Sequence, residues 1–134
     1  MRTALLFFVL FACVFVSGCG TDHKRLSGKV TFEDGSPLTK GEVIFVTESF
    51  QAVGTIQEDG TYTVGSLGMA DGLPPGTYRV YISDAVEYLG GDIDSPMAAK
   101  PLVAAKYTAA DTSGLTCEVP TENNRFDITV SPPE

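Results

Sequence analysis

Apolar and polar residues alternate at period two along much of the chain, the spacing of a strand with one buried face. In the stretch 26–33, Leu26, Gly28, Val30 and Phe32 fall on one side, and Ser27, Lys29, Thr31 and Glu33 on the other. The same alternation predicts strands over 61–66 (Tyr62, Val64) and 77–83 (Tyr78, Val80 and Ile82 against Thr77, Arg79 and Tyr81). It recurs over 115–119 (Leu115, Cys117, Val119) and 125–130 (Phe126, Ile128, Val130). The stretch 42–47 is apolar on both sides through Val43, Ile44, Phe45 and Val46, which fits a central strand or one covered on its outer face. A weaker strand over 50–57 carries Gly54 in its middle, the mark of a bulge or of close backbone approach.

Turn residues punctuate these stretches. Asp34-Gly35-Ser36-Pro37, Lys40-Gly41, Pro74-Pro75-Gly76 and Pro120–Asn124 each end a run, and Asp59-Gly60 is a tight turn that joins 50–57 to 61–66 as a hairpin. The connection 65–76 is long and rich in glycine, serine and proline, and is expected to cross between sheets. Seven short strands at this spacing predict an all-β fold, a seven-stranded antiparallel β-sandwich. The stretch 105–114 is expected to hold a helical turn stopped at Gly114. The longest irregular segment, 84–106, is where the individuality of the molecule is expected to lie.

Ahead of the strands stands a different kind of sequence. Met1-Arg2-Thr3 is a short cationic start, and Ala4–Val16 is uncharged, long enough for a signal-peptide core but short of the roughly 20 residues that span a bilayer. Val16-Ser17-Gly18-Cys19 resembles the lipobox of bacterial lipoproteins. That resemblance implies cleavage after Gly18 and a lipid on the Cys19 sulfur, with acylation of the new amino group. The expected organisation is a signal peptide 1–18, a lipidated tether 19–25 and a domain 26–134. A buried methylene is worth about 0.8 kcal/mol and two acyl signals give stable anchoring, so the expected location is a bacterial cell-envelope membrane surface.

Cleavage removes Arg2 from the nine basic residues and none of the 17 acidic ones, moving the net charge from −8 to −9. Such an acidic surface disfavours nucleic acid and anionic headgroups as partners. With Cys13 in the signal and Cys19 lipidated, Cys117 stands alone, and the domain rests on its apolar core without a disulfide. The single histidine, His23, falls in the tether and reads as a solvated linker residue.

The motifs GKVTFEDGSPL at 28–38, EVIF at 42–45, EDGTY at 58–62, LPPGTYRV at 73–80 and KYTAADTSGLT at 106–116 resemble small bacterial lipoproteins with a carboxypeptidase regulatory-like domain. The fold this resemblance implies is the transthyretin-like, or prealbumin-like, sandwich, Ig-like in its two-layered build. Related sandwiches that hydrolyse cyclic ureides need histidines, arginines and a Tyr-Arg-Gly-Ser C-terminus, and related intradiol dioxygenases need two tyrosines and two histidines on iron. One histidine and a Pro-Pro-Glu ending match neither.

Chemistry-bearing candidates are few. Ser113 has no histidine in the domain to act as its base. Cys117 reads as a buried, inert thiol on an alternating strand. Asp84, Glu87, Asp92 and Asp94 crowd one segment, but in an acidic chain and without the D-x-D-x-D-G order they read as solvated carboxylates. Arg79 and Tyr81 point outward from their strand and Tyr88 lies just beyond it, so these three form the candidate binding surface. The expected function is that of a non-enzymatic envelope lipoprotein that binds or scaffolds, without cofactor or metal. Its expected contacts are the membrane, through Cys19, and an envelope protein or polysaccharide. The alternative is a carbohydrate or small-molecule binding module using Tyr81, Tyr88 and the 84–106 segment.

Overall fold

The computed structural model describes residues 23–65, 72–91 and 98–134. Its strands are β1 (Ser27–Phe32), β2 (Glu42–Val46), β3 (Gln51–Thr55), β4 (Thr61–Gly65), β5 (Gly76–Ser83), β6 (Val86–Leu89), β7 (Ala98–Pro101), β8 (Leu115–Val119) and β9 (Ile128–Val130). Short 3-10 turns occupy Ala105–Thr108 and Glu122–Asn124. The fold is all-β. Seven strands form one curled sheet in the order β8-β5-β2-β3-β4-β1-β9, and β6 and β7 form a separate two-stranded sheet.

The curl happens at β4, which divides its pairing between two neighbours. Val64 and Gly65 pair with Gly54 and Val53 of β3, whereas Thr61, Tyr62 and Thr63 pair with Lys29, Gly28 and Ser27 of β1. Glycine makes the bend sterically feasible. A Cβ on Gly54 would lie 2.8 Å from the Tyr62 ring, so an aromatic side chain approaches this glycine where a bulge or close backbone approach was expected. The sheet thus folds over one core built from Val30, Val43, Phe45, Tyr62, Tyr78, Val80, Ile82, Cys117, Ile128 and their neighbours. Phe45 is at its centre, with its ring 6.1–6.4 Å from those of Tyr62, Tyr78 and Phe126. The expected inward row Tyr78, Val80 and Ile82 is buried.

The expectation of a wholly antiparallel arrangement is corrected by one pair: β9 runs parallel to β1, with Val30 opposite Ile128 and Phe32 opposite Val130. The reason is topological. β8 ends at the end of the sheet where β5 and β1 begin, the chain turns there through residues 120–127, and β9 must therefore run away from that end alongside β1. Period-two patterning sets which side of a strand is buried and is silent on its direction.

Two further differences concern lengths and edges. The segment 84–106, read as irregular, contains β6 and β7. At the other end, Lys24 exchanges two main-chain hydrogen bonds with Leu73 (2.9 and 3.0 Å), so the chain is already held in the fold within the stretch read as a tether. The interior of the 65–76 connection lies outside the described residues, but Gly72 and Leu73, at its close, are buried against β4 and Lys24.

The turns behave as their residues dictate. In both Asp34-Gly35-Ser36 and Asp59-Gly60-Thr61 the aspartate Oδ1 accepts the main-chain N–H and the hydroxyl of the residue two positions on, at 2.6–3.0 Å. The intervening glycines take positive φ, +88° and +85°, where a side chain is strained.

Candidate functional site

The outer face of β5 carries Thr77, Arg79 and Tyr81, as the alternation required. Tyr81 lies directly opposite Ile44, which is in turn opposite Val53, so an apolar row crosses the outside of the sheet. Ile44 is only 4 % exposed yet stands outside the main core, which explains why β2 is apolar on both sides. Arg79 pairs with Asp111 at 2.5 Å, the two side chains 55 % and 83 % exposed. Tyr88 belongs to a different sheet, beyond the left-handed turn at Asp84 (φ 53°). Arg79 and Tyr81 therefore share a face, and Tyr88 stands on a separate element.

That element is an arm. In β6 and β7, Val86 pairs with Pro101, Glu87 with Lys100, Tyr88 with Ala99 and Leu89 with Ala98. Only Val86 of these eight is even half-buried. The arm is rooted in the body by Ala85 and Val103, both buried, and by the Leu102 N–H donating to the Ala85 carbonyl at 2.8 Å. It leaves from the end of the sheet where β5 finishes. The described chain begins at the other end, with His23 against Phe50 of the β2–β3 turn, ring centroids 6.2 Å apart. His23 is half-buried there, so it packs against the body where a solvated linker residue was expected.

Two surface grooves lie on the arm's end of the molecule. One, of about 570 Å³, runs between the base of the arm and the C-terminal residues, lined by Pro101, Val103, Ala104, Lys106, Ser131 and Pro133 among others. Its two walls are tied by the Ala104 N–H donating to the Ser131 carbonyl at 2.9 Å. The other, of about 360 Å³, sits at the Asp34 turn with Phe32, Glu33, Ser36 and Pro132. Tyr81 and Tyr88 line neither.

The side chains with latent reactivity are used in the framework. The Ser113 hydroxyl is buried, donates to the Val80 carbonyl and accepts the Leu115 N–H at 3.2 Å, which fastens the 105–114 segment to β5 and β8. Cys117 is buried and its thiol is pushed up to about 11 by desolvation. Burial likewise raises the Tyr62 and Tyr78 phenols. Tyr62 donates to the Phe126 carbonyl and Tyr78 to the Pro74 carbonyl, the latter at 2.7 Å. Asp127 is held below the usual carboxylate value by Arg125, whose Nε donates to both its oxygens at 2.9–3.0 Å, and by the Lys29 N–H.

Cys19 with the segment 1–18, and Asp92 and Asp94 of the acidic group, lie outside the described residues. Asp84 and Glu87 are exposed. Among the described residues no three His, Cys, Asp or Glu side chains gather closely enough to hold a metal ion, and no helix is long and apolar enough to cross a membrane. The arm itself could not be read from the sequence, because Val86-Glu87-Tyr88-Leu89 and Ala98–Pro101 have no buried face to impose an alternation. A scan against models of known families, a search of curated proteins and a search of solved structures each find no match.

Proposed function

We propose that this chain is a non-enzymatic lipoprotein of a bacterial cell envelope, a β-sandwich of the carboxypeptidase regulatory-like, transthyretin-like kind that binds or scaffolds a partner while tethered through Cys19. The two-layered reading of the curled sheet is supported by the division of β4 between β3 and β1. The tethered reading draws on the Val16-Ser17-Gly18-Cys19 sequence.

One observation carries the binding role. The chain enters beside Phe50 at one end of β5, four residues after Cys19, while the exposed arm projects from the other end. The seven steps along the eight residues of β5, at about 3.3 Å each, separate those ends by roughly 23 Å. A lipid on Cys19 holds the first end at the bilayer and turns the arm toward whatever lies beyond it. Separation of membrane and soluble fractions tests the tether: Cys19→Ala moves the protein to the soluble fraction, and persistence on the membrane refutes it.

A further inference from the structure

The arm has two unlike faces. Residues paired across a hairpin share a face and successive residues alternate, so Val86, Pro101, Tyr88 and Ala99 lie on one face and Glu87, Lys100, Leu89 and Ala98 on the other. The first face is apolar throughout. The second carries one acidic and one basic residue beside two apolar ones. Among the described residues the large apolar side chains that are exposed are Tyr88, at 60 %, and Leu89, at 50 %, and both are here. A two-stranded sheet that no other described strand joins is marginal in water, and one that displays its largest apolar groups is an interaction element.

The edges of the arm are unlike too. β7 ends at Pro101, which has no N–H to offer an added strand, whereas β6 pairs with no described strand other than β7. A third strand laid along β6 would meet alternating environments, Val86 and Tyr88 on one side and Glu87 and Leu89 on the other. Lys100 faces Glu87 from the β7 side, which leaves the β6 edge flanked by Asp84 and Glu87 on an acidic chain. A second cleaved copy brings the same −9 charge and the same acids to that edge, which disfavours self-pairing. The described chain starts at the far end of β5, beside Phe50, so under the tethered reading the bilayer lies at that end and not at the arm.

We infer that the β6 edge binds an extended segment of a partner protein by strand addition, with apolar side chains against Val86 and Tyr88 alternating with basic ones beside Glu87. The Val86 N–H already donates to the Asp84 carbonyl at 2.9 Å, so the other main-chain groups of β6 supply the affinity, and the alternation supplies the choice of partner. This deepens the binding-module reading and rests on it.

The test uses the full chain in phosphatidylcholine nanodiscs and two fluorescein-labelled peptides, KVKVKV and EVEVEV, followed by anisotropy. The expected result is binding of KVKVKV in preference to EVEVEV, weakened at least about tenfold by Tyr88→Ser, since an aromatic anchor carries much of such a contact. Glu87→Lys is expected to invert the preference. Both side chains are exposed, so circular dichroism is expected to remain that of the native protein. Equal binding of the two peptides, binding of neither, or affinities untouched by both substitutions overturns the inference. So does self-association in sedimentation that Tyr88→Ser abolishes, which would make a second copy the occupant. Fractionation of the Cys19→Ala protein reads the tether independently, so failure of peptide binding with anchoring intact falls on this inference alone.

Discussion

The Tyr62 hydroxyl donates to the main-chain carbonyl of Phe126, and Gly28 is the residue that lets them meet. A Cβ on Gly28 would stand 1.9 Å from that carbonyl oxygen and 2.7 Å from the Tyr62 hydroxyl. One phenol thus ties β4, at the bend of the sheet, to the chain that leads into β9 and seats the closing parallel strand against β1. Tyr62→Phe keeps the ring in the core and removes this link. The expected cost is about 1–2 kcal/mol, read as a lower urea midpoint with unchanged slope. Gly28→Ala forces β1 and residue 126 apart and is expected to cost about 3 kcal/mol or more. A Gly28→Ala protein as stable as the wild type would contradict this account of the closure.

The alkaline limb of stability follows from buried neutral groups. Cys117 is raised from 9.0 to about 11, and Tyr62 and Tyr78 are raised above the ordinary phenol value. Unfolded, these groups ionise at lower pH than they do in the fold. The stability contributed by Cys117 is complete below pH 9.0 and is lost as pH rises toward about 11. Urea midpoints measured between those values are expected to fall, and to fall less steeply in Cys117→Ala. Native Cys117 is also expected to resist alkylation until the protein unfolds.

The acid limb is shallow. Asp34, Asp59 and Asp127 are each lowered from 3.8, by hydrogen bonds from Ser36, Thr61 and Arg125 respectively. Their contribution is present above that value and is lost as pH falls through their lower folded values. All three are exposed, so solvent screens the effect, and acid titration followed by circular dichroism is expected to show only a slight loss, below pH 3.8.

The Arg79–Asp111 pair is a surface contact despite its 2.5 Å length. With both side chains more than half exposed, Arg79→Ala is expected to change stability by less than about 1 kcal/mol, and by less still at high salt. Ser113→Ala is the informative contrast. It removes the buried link from the 105–114 segment to β5, and thermal melts are expected to show a loss of about 1–2 kcal/mol.

Hydrogen exchange separates the arm from the body. Amides of Glu87–Leu89 are expected to exchange orders of magnitude faster than those of Val43–Phe45 or Val80–Ile82, because the arm opens without disturbing the core. Equal protection would mean that the arm is packed on the body.

All seven strands of the main sheet were legible from their patterning, as was the burial of Tyr78, Val80 and Ile82. Each is a property of one stretch of chain against one core. The parallel pairing of β1 with β9 was not legible, because it depends on where residues 120–127 turn. The bridge from Lys24 to Leu73 has no period to betray it, and β6 and β7 form without a buried face. Arg79 and Tyr81 were placed on the right face by alternation alone, but the left-handed turn at Asp84 that moves Tyr88 onto another sheet has no signature in an aspartate.

The tether is tested most directly by the mass of the N-terminal peptide of protein extracted from membranes. The expected peptide begins at Cys19 and carries the added mass of a diacylglyceryl group, with a further acyl group on the new amino terminus. An unmodified Cys19, or a chain that begins elsewhere, would contradict it.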